Sequence, residues 1–153
     1  MIHRLFVTAA AALLVAAPAL ALDAEQATRV TETRQGLLKV VGWSVTPLNA
    51  MARGDLEWND ELMRRNSQRV AWLVTMIPDA FRADTRAHEL ETRALPVIWE
   101  EFDRFEELAG NVRSSAERLV EVAAGGDRRA TERAVGALLD DCRACHDTFR
   151  ADP

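Results

Sequence analysis

Near the C-terminus the chain reads DDCRACHDTFR, a stretch that holds both of its cysteines and one of its three histidines. Cys142 and Cys145 are three residues apart, and His146 follows the second cysteine directly. Three chemistries use thiols and an imidazole at this spacing: a redox dithiol, part of a zinc site, and covalent attachment of a haem. The rest of the sequence has to separate them.

The redox dithiol and the zinc site each need surroundings that this sequence does not provide. A thioredoxin-type dithiol lies where a strand meets a helix N-terminus, which lowers the thiol pKa, whereas this pair comes about four turns into a predicted helix. A closed zinc site needs four converging ligands. Cys142, Cys145 and His146 would supply three ligands, and the only other cysteine or histidine after the N-terminal segment is His88. Residues 145 and 146 also point about 100° apart on a helix, which suits one small ion poorly.

Covalent haem attachment accounts for every residue of the motif. Residues three apart on a helix share a face, so Cys142 and Cys145 can reach the two vinyl groups along one edge of a porphyrin. His146 can then reach the iron as an axial ligand. We therefore predict one haem c, bound through both cysteines. Only eight residues follow Cys145 and none is methionine, so any second axial ligand must come from earlier in the chain.

The first 21 residues, MIHRLFVTAAAALLVAAPALA, have the layout of a secretory signal peptide. Their apolar run of about 13 residues is shorter than the roughly 20 that cross a bilayer. A permanent membrane anchor is the alternative. We predict cleavage near Ala21, export to the periplasm and a single domain over residues 22–153, in which no later stretch is apolar enough to span a membrane.

The chain is mildly acidic, with 24 acidic residues, 19 basic residues and a formal net charge of −5. A negative protein is repelled by nucleic acid and by anionic membrane surfaces. We therefore expect neither a nucleic acid nor a membrane among its partners.

Apolar residues recur at helical spacing after the leader, and no segment alternates usefully with period two. The first two predicted helices span residues 24–50 and 58–77. Pro78 is expected to end the second one, because proline cannot continue a helix. Residues 78–94 are mixed and polar, and we predict a crossover loop there.

Two further helices follow this loop. The third begins at Pro96, a residue suited to the first turn of a helix, and Gly125 and Gly126 stop it. Asp127 then caps the fourth helix. Four amphipathic helices with short turns and one longer crossover predict an all-α fold, an antiparallel four-helix bundle.

The whole region after the leader resembles the class II cytochromes c, and within them cytochrome c′. The most specific parts are TRQGLLKVVG at residues 33–42, LPVIWEEFDRF at residues 95–105, AAGGD before the last helix, and CRACHDTFR at the end. The resemblance implies a four-helix bundle with covalently attached haem near one end.

Arg34 stands on the apolar stripe of the first helix, where two interpretations are open. In the first, its stem covers the core while its head reaches water. In the second, its guanidinium is buried and meets an anion, since burial without one is costly. The resemblance favours the second interpretation, because the family has an arginine followed by glutamine here that contacts the haem. Arg34 and Gln35 match that pair.

Leu38, one turn beyond Arg34, decides the expected iron chemistry. In relatives of the cytochrome c-556 type the residue at this position is a methionine that binds iron, whereas leucine has no ligand atom. The resemblance therefore implies five-coordinate iron with Leu38 as an apolar lid. Met51, Met63 and Met76 remain as alternative sulfur ligands, although methionine in a bundle is usually core filler.

The resemblance assigns further residues to the haem pocket. Phe105 and Phe81 match distal-pocket aromatics of the family, and Arg150 matches a basic residue beside the proximal imidazole. A solvated terminal arginine is the alternative for Arg150. Trp99 matches a tryptophan of the family and is otherwise a core residue. His88 lies in a polar loop and receives no role.

The predicted function is binding of nitric oxide and carbon monoxide by a periplasmic haem protein that can cycle one electron with periplasmic redox partners. The alternative is an electron-transfer cytochrome of the c-556 type. An enzymatic role would need a distal acid–base group, and none is evident, so we predict a protein that is not an enzyme. Family members commonly form dimers through their first two helices, which would make Trp43 and Trp72 interface anchors of a homodimer; the alternative is two ordinary half-buried tryptophans.

Overall fold

The first helix begins after Asp23, whose carboxylate accepts the backbone N–H of Gln26, while the Gln26 side-chain oxygen accepts the N–H of Asp23. This capping box pairs two N–H groups that the start of a helix leaves free. The computed structural model describes residues 22–152, and within them six helices follow one another. They are α1 (Ala24–Arg53), α2 (Asp60–Val74), α3 (Ile77–Phe81), α4 (Val97–Glu100), α5 (Phe102–Ala124) and α6 (Arg128–Phe149).

The four long helices form an antiparallel bundle in which α1 packs on α2 and α6, and α5 packs on α2 and α6. Within residues 22–152 the one β-type pairing is an isolated antiparallel bridge between Ala94 and Arg150. The predicted all-α four-helix bundle is therefore confirmed. The C-terminal end of α2, the start of α5 and the C-terminal end of α6 lie at one end of the bundle, which we call the motif end because α6 carries the two cysteines there.

The prediction that Pro78 ends the second helix is wrong. The helix α2 already ends at Val74, and the Thr75 hydroxyl donates a 2.7 Å hydrogen bond to the carbonyl of Trp72. Pro78 instead lies in the first turn of the short helix α3. A proline is tolerated there because the first N–H groups of a helix have no partner within it. The crossover loop is correspondingly shorter than predicted.

The predicted third helix is divided in two. The short helix α4 ends at Glu100, and Glu101 has φ −121° and ψ 46°, outside the helical region, before α5 begins. The predicted stop at Gly125 and the cap at Asp127 are both confirmed. The Asp127 carboxylate accepts the N–H of Ala130 at 3.0 Å, which starts α6.

The buried apolar residues form two groups. The main core fills the middle of the bundle and the end away from the motif, and its members are Leu48, Met51, Met63, Val70, Ala71, Val74, Val112, Ala116, Leu119, Ala123, Val135 and Leu138. The aromatic cluster lies at the motif end, and its members are Phe81, Ile98, Phe105, Leu108 and Phe149. The main core has no aromatic residue among these members, whereas three of the five members of the aromatic cluster are phenylalanines, contributed by α3, α5 and α6.

The predicted signal peptide, residues 1–21, lies outside the described residues. Within residues 22–152, no helix has both the length and the apolar character that crossing a bilayer demands.

Candidate haem site

The two cysteines lie on the inner face of α6, between buried residues on either side. Leu138 and Phe149 are almost fully buried, whereas Cys142 and Cys145 between them are only half-buried. Cys142 packs against the main core and Cys145 against the aromatic cluster. Between Leu138 and Phe149, the inner face of α6 is thus incompletely covered by protein at the two thiols, over one turn of helix.

The surroundings of the motif favour neutral forms of all three side chains. Burial raises the pKa of both Cys142 and Cys145 to about 11, with a smaller contribution to Cys142 from Asp141. Burial of the ring, followed by the charge of Arg150, lowers the pKa of His146. A neutral imidazole is the form that ligates a metal. Protonated thiols are the opposite of an activated redox pair, whose thiol pKa is lowered.

Cys145 packs against a cluster of aromatic rings. The Phe105 ring is 5.0 Å from that of Phe81 and 5.3 Å from that of Phe149, the latter edge-on, measured between centroids. Such tilted and edge-on pairs are the favoured geometries for aromatic side chains. The two family-implied pocket residues, Phe81 and Phe105, are therefore brought together with Cys145. Phe149, on the inner face of α6, completes the group.

Arg34 is buried, with 3% of its surface exposed, and its guanidinium contacts the crossover region. Its Nε donates a 2.6 Å hydrogen bond to the carbonyl of Ala80, and one terminal nitrogen donates to the Thr85 hydroxyl at 2.9 Å. The other terminal nitrogen donates to the carbonyl of Ala83. Burial lowers the pKa of Arg34, and the charge of Asp84 partly offsets this effect. The snorkelling interpretation is wrong, because the head of the side chain is inside the protein.

Two aromatic rings also contact the Arg34 guanidinium. Its central carbon is 5.0 Å from the Phe81 ring centroid and 5.1 Å from that of Trp99. The Trp99 indole N–H donates a 2.9 Å hydrogen bond to the carbonyl of Phe81. Gln35, the next residue on α1, donates a 2.8 Å hydrogen bond from its amide to the carbonyl of Glu91. The Arg-Gln pair thus holds both ends of the crossover loop.

Leu38 interrupts the buried stripe of α1. Arg34 and Leu48, which belong to the same stripe, are almost fully buried, but Leu38 is 39% exposed. The helix α1 packs on α6, where the half-buried cysteines interrupt the buried stripe in the same way. The polypeptide therefore covers Leu38 on α1 and the two thiols on α6 only in part.

The three alternative methionine ligands lie elsewhere. Met51 and Met63 are fully buried in the main core, near the turn that joins α1 to α2. Met51 is 13 residues from Leu38, nearly 20 Å along a helix. Met76 is exposed at the turn between α2 and α3. None of the three belongs to the aromatic cluster around Cys145.

A contact that the sequence did not indicate ties the end of α6 to the crossover loop. The Arg93 side chain donates two hydrogen bonds, of 3.0 and 2.6 Å, to the carbonyl of Ala151, and the Ala151 N–H donates to the carbonyl of Arg93 at 2.8 Å. Arg93 also adds to the lowering of the pKa of His146. Two cations, Arg93 and Arg150, therefore influence the imidazole, although only Arg150 was expected from the motif.

The residues at the motif end fit a haem c. Two thiols lie on one helical face and a neutral imidazole follows them, which is the donor set for two thioether links and one axial ligand. Leu38 offers hydrocarbon surface of the kind that a porphyrin face covers. A zinc ion fits less well, because within residues 22–152 no group of three or more His, Cys, Asp or Glu side chains is arranged to hold a metal ion.

The exposed tryptophans and the loop histidine lie away from these residues. Trp43 on α1 is 64% exposed and Trp72 on α2 is 66% exposed, so neither is half-buried. The His88 Nε2 lies 2.9 Å from the carbonyl oxygen of Leu22, at the start of the described chain.

Comparison with known proteins adds a family to this geometry. The family profile described as Cytochrome C' matches residues 29–150. A cytochrome c′ of Halomonas halodenitrificans is 32% identical over 123 residues, which are 78% of this chain and 93% of the relative. A cytochrome c-556 of Agrobacterium tumefaciens is 29% identical over 119 residues, which are 78% of this chain and 94% of the relative.

A solved structure has the same fold. The nitric oxide complex of a mutant of cytochrome c prime from Alcaligenes xylosoxidans superimposes with a TM-score of 0.74 at 20% identity. The match covers 82% of this chain and 97% of that one. The agreement at this level of identity concerns the arrangement of the helices.

Proposed function

The chain belongs to the cytochrome c′ family, and on that premise we propose that it is a periplasmic haem c protein that binds nitric oxide and carbon monoxide at five-coordinate iron. The family binds haem c covalently, and the two cysteines that such attachment needs are present in α6. We assign the thioether links to Cys142 and Cys145 and the axial position to His146. The observation that carries the proposal is Leu38, a side chain without a ligand atom at the position where c-556 relatives have methionine.

When bound, haem c supplies an iron that takes up diatomic ligands and cycles between ferric and ferrous states. Leu38 contributes only hydrocarbon, and it opposes a ligand on its face by a steric cost of about 1–3 kcal/mol. His146 provides a neutral imidazole, whose pKa is lowered first by partial burial and then by the charges of Arg150 and Arg93. Phe81 and Phe105 are proposed as apolar walls, because they pack with Cys145.

The side chains of Arg34 and Gln35, which precede Leu38 on α1, donate their hydrogen bonds elsewhere, and this favours nitric oxide and carbon monoxide over dioxygen. The chain has no tyrosine. The Gln35 amide donates to the carbonyl of Glu91, and the Arg34 guanidinium donates to the crossover region. Dioxygen binding depends strongly on a donated hydrogen bond, whereas the two less polar gases depend on it less. An enzymatic role would need a distal acid–base group, and we propose none among residues 22–152.

The relative solved as a nitric oxide complex supports this assignment, since it shares the fold over most of both chains. Electron transfer is the second candidate, and the 29% identical cytochrome c-556 favours it. A dedicated carrier benefits from two fixed axial ligands that keep the iron geometry the same in both redox states. Leu38 cannot supply the second ligand, so we rank gas binding first.

We also propose a homodimer formed through α1 and α2. Trp43 and Trp72 project from these two packed helices and are largely exposed. A groove beside Trp43 is lined by Pro47, Leu56 and Leu62, and Arg69 lies over the Trp43 ring with its guanidinium carbon 5.2 Å from the centroid. Exposed aromatic side chains beside an apolar groove are typical anchors of protein interfaces.

Stopped-flow mixing separates the two candidate functions. Reduced holoprotein is mixed with nitric oxide, and oxidised holoprotein is mixed separately with small reduced periplasmic electron donors. Gas binding predicts stoichiometric uptake of nitric oxide together with slow reduction by the donors. Negligible uptake together with rapid reduction would favour the electron carrier.

A further inference from the structure

We propose that Arg34 is a positioning residue, which holds the start of the crossover loop against α1 and thereby fixes Phe81 as a wall of the pocket. The resemblance to the family implies a different role for this arginine, contact with the haem carboxylates. The proposed positioning of a gas pocket rests on the function proposed above, whereas the holding of the loop does not.

The guanidinium of Arg34 is already occupied by oxygen atoms of the protein. Of its five N–H groups, one donates to the carbonyl of Ala80, one to the carbonyl of Ala83 and one to the hydroxyl of Thr85. Both Arg34 and Thr85 are almost fully buried. A buried guanidinium with this many partners on one short segment fixes the course of that segment, because breaking any one bond leaves a buried polar group unpaired.

The same contact fixes Phe81, which lies between Ala80 and Ala83 in the sequence. The guanidinium carbon is 5.0 Å from the centroid of its ring. The carbonyl of Phe81 accepts the indole N–H of Trp99, whose ring lies 5.1 Å from the same guanidinium carbon. Arg34 therefore connects α1, α3 and α4 through one planar group that contacts two neighbouring rings, whose centroids are 6.4 Å apart.

This arrangement places Phe81 in relation to Leu38. Arg34 and Leu38 are four residues apart on α1 and thus share a face. Phe81 contacts the Arg34 guanidinium, one turn from Leu38, and it packs with Phe105 in the cluster that Cys145 also contacts. Arg34 therefore links Phe81, the proposed wall of the pocket, to the helix that carries Leu38, the proposed lid.

A network of charged side chains on the loop surface supports the same segment. Asp84 accepts hydrogen bonds from the guanidinium of Arg86, which also pairs with Glu100 at 3.1 Å. The carboxylate of Asp84 contributes a favourable charge to Arg34. The loop thus supplies a countercharge for the buried arginine from its own residues.

Thr85 allows the proposal to be tested without removing the arginine. Thr85→Val keeps the shape of the side chain but removes the acceptor for Arg34, whereas Thr85→Ser keeps the hydroxyl and serves as the matched control. Arg34→Gln removes the whole contact. Arg29→Gln, an exposed change on the same helix, controls for the lost charge. All four variants are prepared as holoprotein.

Two measurements are made on each variant. The first is hydrogen–deuterium exchange, by mass spectrometry, of peptides covering residues 78–94. The second is the rate at which the reduced protein associates with carbon monoxide. We expect Thr85→Val to raise loop exchange about threefold to tenfold, as the loss of one buried hydrogen bond predicts. We also expect Thr85→Val to change the association rate by a similar factor. Arg34→Gln should have a larger effect than Thr85→Val in both measurements. Thr85→Ser and Arg29→Gln, the two controls, should match the wild type.

The other outcomes overturn the proposal. Unchanged loop exchange in both Thr85→Val and Arg34→Gln would show that Arg34 does not hold the loop. Faster exchange with an unchanged association rate would show that the loop is held but does not position the pocket. An altered pH dependence of the midpoint potential in Arg34→Gln alone, with Thr85→Val like the wild type, would indicate the haem carboxylate contact. If wild-type protein takes up no carbon monoxide, the gas-binding function fails, while the exchange result still decides whether Arg34 holds the loop.

Discussion

The backbone N–H of Leu95 donates a 3.0 Å hydrogen bond to the carbonyl oxygen of Phe149, the last residue of α6. Together with the pairing of Ala151 and Arg93, this bond fastens the segment before α4 to the end of the helix that carries the CRACH motif. The crossover loop is therefore held at both ends, by α1 near Ala80 and by the C-terminal residues near Leu95. These bonds place Arg93 near the motif.

Replacement of Arg93 by glutamine is expected to lower the midpoint potential of the haem by tens of millivolts. A positive charge near the proximal imidazole favours the ferrous state, which carries one positive charge fewer, and its removal therefore stabilises the ferric state. Spectroelectrochemical titration of Arg93→Gln and of Arg129→Gln, an exposed change at the far end of α6, measures the effect. Equal potentials for the two variants would show that Arg93 does not act on the iron.

Replacement of Leu38 by methionine is expected to convert the iron from high-spin to low-spin. The thioether sulfur would then stand where the resemblance implies a methionine ligand in the c-556 type, and it would fill the sixth position. Absorption spectra of the reduced variant should show a sharp α-band. Leu37→Met, a change of the adjacent half-buried residue on α1, is the control and should stay high-spin. A high-spin spectrum for Leu38→Met would mean that residue 38 is not over the iron.

Replacement of Trp43 by alanine is expected to weaken the proposed homodimer. A tryptophan that anchors an interface contributes about 2 kcal/mol or more to association, roughly thirtyfold in the dissociation constant. Sedimentation velocity over a range of concentrations measures the change, and Trp72→Ala should act in the same direction. Arg118→Ala on α5 is the control. A wild-type holoprotein that stays monomeric at all concentrations would remove the dimer from the account.

Asp84 is expected to make the stability of the protein depend on pH in the acid range. Its hydrogen bonds from Arg86 lower the pKa of the carboxyl. A lowered pKa in the folded state adds stability at pH values above the unfolded pKa of about 3.9, and this stability is lost as the pH falls through the folded value. Because the carboxylate is partly exposed, the contribution should be less than about 1 kcal/mol.

Chemical unfolding of the holoprotein at pH 7 and at pH 3 tests this dependence. Asp84→Asn should lower the free energy of unfolding at pH 7 and have a smaller effect at pH 3. Asp103→Asn, a change of an exposed carboxylate on α5, is the comparison. An equal loss for Asp84→Asn at both pH values would attribute its effect to something other than the charge.

The sequence predicted the features that depend on neighbouring residues. The cap at Asp127 and the stop at Gly125 are local, because each acts within one turn of helix. The rhythm of apolar residues along α5 likewise depends only on spacing, and Phe105, Val112 and Leu119 are buried as it predicts. The fold class follows from such local signals added together.

The contacts of Arg34 could not be predicted in this way. Its partners at Ala80, Ala83 and Thr85 are 46 to 51 residues away in the sequence. A buried guanidinium on an apolar stripe shows that an anion or several oxygen atoms must be near it, but not which ones. Arg93 was missed for the same reason, since its acceptor, the carbonyl of Ala151, is 58 residues away.

The inner face of α2 was also only partly predicted. Hydrophobicity places Leu62 and Leu73 inward, whereas the structure buries Asn66 and Ser67 and leaves the two leucines half-buried. Ser67 satisfies its hydroxyl by donating to the carbonyl of Met63 at 2.8 Å. Small or self-paired polar side chains allow close approach of helices at little cost, and hydrophobic periodicity does not detect them.

The spectrum of the wild-type holoprotein, oxidised and reduced, tests the central claim most directly. The claim is that His146 is the one protein ligand to the iron and that Leu38 contributes no bond on the other face. We expect high-spin absorption and resonance Raman bands in both oxidation states. A low-spin reduced spectrum with a sharp α-band would show a second protein ligand and would contradict the account.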